Sequence, residues 1–431
     1  MRQLVGNLEH PDVVPGKARR VKVMARGALR HAGIIEVGMH NPFDRPNAIF
    51  ASIIVAIVGW VVFMGMPILV GALVETRGLS EAQAGYMASA DLLGIFCASI
   101  TISLCIRRID RRHWVLGGIL LSAACNILSG YVPDFGLLFA IRVIAGFGSG
   151  VCYSIALANL ATTSNASRNF TYLIFALVAT NALELYGLPE VVREWGVQGI
   201  FIVFAATNIL CLAVLGMVPR RLPEGMMGGG EVDLRHSTAA VRLHGGMALL
   251  AIALFYITVS GYWAYVERMG VAARLSDRFV QISLSSTTML SLVGCLVAYQ
   301  ASKVRAQSVL LLWALGAVGA SLLWIGAHVT ATSFFGVLCI FQLLWNGIDI
   351  YQLGTLSTID RSGGLPALVP AAQGLGQTLG PALSALTVSL GYGYTGVMAL
   401  CASMAFGAAL IYGVVFIRLR SELDAVPARA G

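Results

Sequence analysis

Apolar runs long enough to cross a membrane recur along nearly the whole chain, separated by short breaks that carry most of the charges. A helix rising 1.5 Å per residue needs roughly 20 residues to cross a hydrocarbon layer of about 30 Å. The pattern predicts twelve spans, at roughly 48–74, 84–106, 114–132, 136–161, 169–188, 198–218, 245–268, 279–300, 308–327, 333–356, 366–389 and 394–417. Lipid offers the backbone no hydrogen bonds, so such runs form helices. Barrel strands would alternate apolar and polar residues, and these runs do not. The expected fold is an all-α polytopic membrane protein: a six-helix half over 48–218 and a second over 245–417. A basic arm (1–47) precedes them, a linker (219–244) with a Gly228-Gly229-Gly230 run joins them, and a tail (418–431) follows.

Composition supports this class. Hydrophobic residues make up 57% of the 431 and charged residues only 12%, half the roughly 25% of a soluble domain. The net charge of +8 is therefore read by its placement and not as a nucleic-acid footprint. With both termini and the linker on one side, that side holds 23 of the 29 Lys and Arg; the opposite loops hold five, and Arg142 lies within a span. Positive charge stays cytoplasmic, which puts both termini inside the cell, in an inner-membrane type of protein. The arm, with Arg19, Arg20, Lys22, Arg26 and Arg30, suits contact with anionic lipid.

The eight cysteines fall within apolar stretches without a CxxC, which predicts neither disulfides nor a zinc site. All seven histidines lie outside the spans, and no HExxH, GxSxG or Walker loop occurs. No enzyme, cofactor, metal or nucleotide-driven pump is expected.

Span four reads Arg142-Val143-Ile144-Ala145-Gly146-Phe147-Gly148-Ser149-Gly150. Together with Pro133-Asp134-Phe135 and the Leu79-Ser80-Glu81-Ala82-Gln83-Ala84-Gly85 start of span two, it resembles the major facilitator superfamily of transporters. That family's loop signature after span two, Gly-x-x-x-Asp-Arg-x-Gly-Arg-Arg, falls on Ser103 to Arg112. Arg108, Arg111 and Arg112 match, and the resemblance implies a gating role for them; Ser103, Arg107 and Asp110 depart from it. Gly146, Gly148 and Gly150 are expected to pack helices closely. Gly376, Gly380 and Pro381 in span eleven form a Gly-x-x-x-Gly-Pro string, read first as a hinge and second as a trace of the antiporter motif. The resemblance implies a midplane site lined by spans 1, 4, 5, 7, 8, 10 and 11, with span two peripheral.

Ionisable groups inside a membrane are functional candidates by default. Asp91, Arg142 and Glu184 fall at similar depth in one half. They form either a structural pair of Arg142 with one acid or a coupling cluster, with Glu184 as the proton carrier. In span ten, Gln342, Asn346, Asp349 and Gln352 share one helical face, as a hydrogen-bonded seam or as the wall of a wet cavity. In span seven, Tyr256, Ser260, Trp263 and Glu267 share another. Trp263 and Glu267 could anchor at the interface, or the face could point inward and, with Trp60 and Met64 of span one, stack on a ligand.

The resulting expectation is a monomeric secondary transporter moving a small organic solute by alternating access, driven by protons. Asp349, Asn346, Gln342, Gln352, Tyr256, Trp263 and Trp60 would bind the solute. The alternatives are an uncoupled facilitator, or a sensor or scaffold that kept the fold; an enzyme is the weakest.

Overall fold

The computed structural model describes residues 41–106, 108–221, 239–359, 365 and 368–424. Nearly all of the basic arm, most of the linker and the end of the tail lie outside the described residues. Span one is two helices, Pro46–Met64 and Met66–Arg77, that meet at Gly65. Spans two, three and four are Glu81–Cys105, Arg111–Tyr131 and Phe135–Ala161. Spans five and six share the run Ala166–Cys211, divided at Gly196. Span seven is Ala239–Ala272, and span eight is Asp277–Thr288 followed by Leu290–Val304. Spans nine to twelve are Gln307–Ala327, Ala331–Ile359, Val369–Ser389 and Gly393–Asp424.

Among the described residues, ten helical segments are long and apolar enough to cross a membrane. One of them, Arg168–Met217, holds two crossings. Val369–Ser389 is a further crossing whose Gln373, Gln377 and Ser384 make it less apolar. Twelve crossings result, as the hydrophobic pattern predicts.

The helix starts follow from local chemistry. Ser80 and Gln83 form a reciprocal capping box at span two. Asp110 and Asp134 cap spans three and four by accepting from backbone N–H groups of Arg112 and Leu137. Gly196 has φ 60° and ψ −159°, a region open almost only to glycine, and there span five passes into span six. The Val197 N–H that this frees donates to Thr76 Oγ1 at 3.0 Å.

Glycine also sets helix spacing. A methyl on Gly146 would collide with the Asp91 carbonyl, and one on Gly150 would lie 2.6 Å from Ile95 Cα. At Gly148 it would lie 2.7 Å from the Gly118 carbonyl oxygen. Spans two, three and four therefore touch backbone to backbone. Gly376 and Gly380 seat span eleven on Ala253 and Ser260 of span seven in the same way. Pro381 lies inside the continuous helix Val369–Ser389.

Candidate functional site: a cavity between the halves

A cavity of about 430 Å³ lies between the two halves. Its inner wall holds Trp60, Tyr153, Tyr256, Trp345, Asn346, Asp349, Gln373 and Gln377. It continues past Ser99, Ser103 and Ile106 of span two, Ala158 of span four and Pro370 of span eleven. It thus opens towards the end of the bundle where span two ends and span three begins. A second lobe of about 150 Å³ shares Trp60, Trp345 and Asn346 and adds Phe63, Asn181, Trp263, Thr288, Ser291 and Gln342.

Span two departs from expectation. Its Leu92, Ile95, Phe96 and Ser99 line the larger lobe, because span two packs on span eleven of the other half, where Ser89 donates to the Thr378 carbonyl and Phe96 lies against Gly374.

The carboxylate of Asp349 is the acid of this site. Its Oδ2 accepts a hydrogen bond from the Tyr256 hydroxyl at 2.9 Å, and Gln373 Nε2 donates to the same hydroxyl oxygen at 2.9 Å. Gln373 thereby fixes the direction of the tyrosine proton towards Asp349. Asp349 Oδ1 and the Trp345 indole N–H are buried without hydrogen-bond partners. Asn346 donates to the Ser291 carbonyl and Gln342 to Thr288 Oγ1, both at 3.3 Å, which ties span ten to span eight. Gln352 does not join them. It is buried, neither of its amide atoms is bonded, and it lines neither lobe. Three turns of helix drift relative to a straight stripe, so the last member of a four-residue face leaves the cavity.

Aromatic side chains from both halves brace the site. Trp60 stacks on Tyr153 with centroids 4.4 Å apart and planes at 18°. Phe63 sits 4.8 Å from Trp60 and edge-on to Trp345 at 6.4 Å. Sequence reasoning does not single out Tyr153, Trp345, Gln373 or Gln377. The four-residue spacing of Gln373 and Gln377 in an otherwise apolar span is the legible signal for the glutamines.

At the opposite end the halves are bonded to each other. Pro67 has no N–H to give the carbonyl four residues back, Phe63, and that oxygen accepts from Trp263 Nε1 at 3.2 Å. Trp263 is 1% exposed, so the interfacial-anchor reading fails for it. Tyr265 donates to the Glu81 carbonyl at 2.9 Å. Arg268 reaches Glu75 Oε1 at 2.5 Å and Glu81 Oε1 at 3.0 Å. Glu267 lies against Gly71 of span one. Ser285 of span eight donates to the Ala182 carbonyl of span five at 2.8 Å. One end of the cavity is open and the other is latched.

Glu75 and Glu81 are partly solvated, so the Arg268 latch contributes about 1–2 kcal/mol after screening. Arg268→Gln is expected to raise access from the latched end about five- to thirty-fold. A cysteine at Asn346, in a background without the eight native cysteines, should be labelled faster by an impermeant reagent from that end. An unchanged rate would assign the closure to apolar packing around Trp263 instead.

The charge cluster of the first half is smaller than the sequence suggests. Arg142 and Asp91 are 1% exposed and meet side-on, Nη2 to Oδ1 at 2.6 Å and Nε to Oδ2 at 3.0 Å. Arg142 Nη1 donates to Asn126 Oδ1 at 2.7 Å, and its guanidinium lies over the Phe201 ring. Glu184 makes no ion pair with it among the described residues. Its Oε2 is buried without a partner and lies near Gly65, at the break in span one. Similar depth does not bring the three together, because spans four and five turn these side chains towards different neighbours.

Arg111 donates to Asn159 Oδ1 at 2.7 Å and lies over the Phe43 ring. Arg112 donates to the Val218 carbonyl at 3.0 Å and 2.9 Å through Nε and Nη2, and to that of Gly216. These bonds stay inside the first half and fasten the start of span three to the ends of spans four and six. Arg108 is exposed at the open end. In this conformation the expected gating residues therefore brace one half, and the bonds described for them do not bridge the two. Among the described residues, no three His, Cys, Asp or Glu side chains are placed to hold a metal ion.

Two packed sets of six spans, with a cavity between them open at one end, define a polytopic membrane protein of transporter fold. The sequence model of the Major Facilitator Superfamily matches residues 50–358, and the chain belongs to that superfamily. No curated protein matches the chain. Among solved structures, it is similar to a nucleoside transporter at 11% identity and TM-score 0.68, over 86% of this chain and 100% of that one. It is also similar to a bacterial homolog of the human lysosomal transporter Spinster, inward-facing and unoccupied, at 13% identity and TM-score 0.64, over 90% and 100%. A partially occluded, inward-open xylose transporter from E. coli matches at 15% identity and TM-score 0.63, over 84% and 98%. At such identities the likeness is one of fold.

Proposed function

We propose that the protein is a proton-coupled secondary transporter that carries a small organic solute across the cytoplasmic membrane by alternating access. The observation that carries this reading is the cavity between the halves, open at one end and bonded shut across the halves at the other. Rocking the halves, 48–218 against 245–417, about Asp349 and Trp60 would exchange the open end for the latched one. A sensor or scaffold has no need of such a polar, aromatic-lined space. The excess of Lys and Arg on one side supports cytoplasmic termini, and the open end then faces the cytoplasm.

Glu184 is the proposed proton carrier. Its buried, unpartnered oxygen stands at the break in span one, where the second half docks through Trp263. Arg142 has no part in this role, since it is committed to Asp91, Asn126 and Ser129.

The test is a solute-panel flux assay in right-side-out and inverted vesicles, with and without a pH gradient. Gradient-driven accumulation of a panel member is expected in one orientation. Flux that only equilibrates would favour the uncoupled facilitator, and no flux of any member would favour the sensor or scaffold. An impermeant thiol reagent should reach a cysteine placed in residues 219–221 only after the membrane is broken.

A further inference from the structure

The charges around the cavity select among solutes. Asp349 lines the larger lobe and is the one Asp or Glu in the described linings of the two, which contain no Lys, Arg or His. Arg142, buried in the first half, lies outside both linings and is held side-on by Asp91. An anionic solute would therefore meet a carboxylate with nothing to offset it.

The carboxylate is also only half satisfied. Tyr256 occupies Oδ2, held in that role by Gln373, while Oδ1 accepts no well-formed hydrogen bond and has the Trp345 indole N–H near the carboxyl group. A buried polar atom without a partner is costly, and a ligand that supplies positive charge there recovers that cost.

The rest of the wall is aromatic. Trp60 and Trp345, one from each half, border both lobes. Tyr153 and Phe63 pack against them by stacked and edge contacts. Aromatic faces attract cations and stack on flat rings. A volume of about 430 Å³ falls within the roughly 300–1,000 Å³ usual for organic ligand sites. Gln342, Asn346 and Gln377 add neutral hydrogen-bonding groups at the edge.

We infer that the cavity binds a planar aromatic monocation, with Asp349 as its counter-ion and Trp60 and Trp345 as its stacking walls. This inference rests on the transport reading for the role of the cavity, but the charge and ring preference follow from the lining alone. The two acids then have separate roles. Asp349 selects the solute, and Glu184, which lines neither lobe, is left for coupling.

The test uses three flat bicyclic probes of nearly equal size on the purified full-length protein. They are N-methylquinolinium, a permanent cation; 1-methyl-2-quinolone, which is neutral; and quinoline-2-carboxylate, an anion. Equilibrium binding of radiolabelled probe is measured for the wild type, Asp349→Asn and Trp345→Leu, each first shown to be monodisperse with an unchanged melting midpoint. The wild type is expected to bind the cation at least ten-fold more tightly than the neutral probe, and the anion least. Asp349→Asn should abolish the preference for the cation while leaving the neutral probe within about two-fold. Trp345→Leu should weaken both. A preference for the neutral or anionic probe, equal loss of both probes in Asp349→Asn, or no binding of any probe would overturn the inference. Cysteine accessibility from the two ends, measured without any probe, reports alternating access separately. If accessibility still alternates while the cation preference is absent, the inference about the solute fails and the transport reading stands.

Discussion

Asp91→Asn is expected to cost the protein about 3–5 kcal/mol, the range for removing one partner of a buried ion pair. The substitution keeps the side-chain shape and removes its charge, so the loss reports electrostatics and not a cavity. Arg142 would retain Asn126 Oδ1, Ser129 Oγ and the face of Phe201. None of these carries a negative charge, and the guanidinium would stay 1% exposed without a counter-ion. The pair also sits where Gly146 presses on the Asp91 carbonyl, so spans two and four cannot part to admit water without losing their closest contact. A marked fall in the melting midpoint of the detergent-purified protein is the expected readout. The double change Asp91→Leu with Arg142→Met should be milder than Asp91→Asn alone, because it removes both charges together. A midpoint for Asp91→Asn equal to wild type would mean that Arg142 is solvated in the membrane and that the pair is dispensable.

Glu184→Gln is expected to abolish accumulation driven by a pH gradient while leaving solute exchange at equal pH on the two sides. Glutamine keeps the size and polarity of the side chain and cannot carry a proton. The position matters because Glu184 Oε2 lies beside Gly65, two residues from the Phe63 carbonyl that Trp263 of the other half engages. In the proposed cycle, parting the halves at that end would take Trp263 off the carbonyl and give the carboxyl at the break access to water. A proton-binding group whose solvation differs between the two conformations couples protonation to the change of conformation. Accumulation measured in vesicles, with exchange as the control, checks this. Normal gradient-driven uptake by Glu184→Gln would move the carrier to another carboxyl, and Asp349 would be next.

Asp349 and Trp263 show how far sequence reasoning reaches into a site. The polar face of span ten was legible because lipid permits no stray amide or carboxyl on its side of a helix. The stripe Gln342, Asn346, Asp349 therefore had to face protein or water, and it faces the cavity. Trp263 was ambiguous for the converse reason. A tryptophan near a span end suits both the interface and the interior, and its burial on the Phe63 carbonyl of the other half, where Pro67 supplies no N–H, distinguishes them.

By itself the sequence determined the class of protein, the twelve crossings, the close-packed glycine face of span four and the buried charge of Arg142. These follow from short-range constraints: hydrocarbon thickness fixes span length, the absent hydrogen bonds of lipid fix helicity, and missing side chains allow backbones to touch. Tertiary structure alone decided that Arg142 takes Asp91 and not Glu184, that span two lines the cavity and that Gln352 does not. It also decided that Tyr256 and Gln373 orient Asp349, and that Arg268 latches one end. Each of these depends on how far a helix is rotated about its own axis and which remote helix lies beside it. A rotation of about 100° per residue turns small differences in packing into different partners. Residues far apart in the chain, such as 91 and 142 or 256 and 349, set that rotation together.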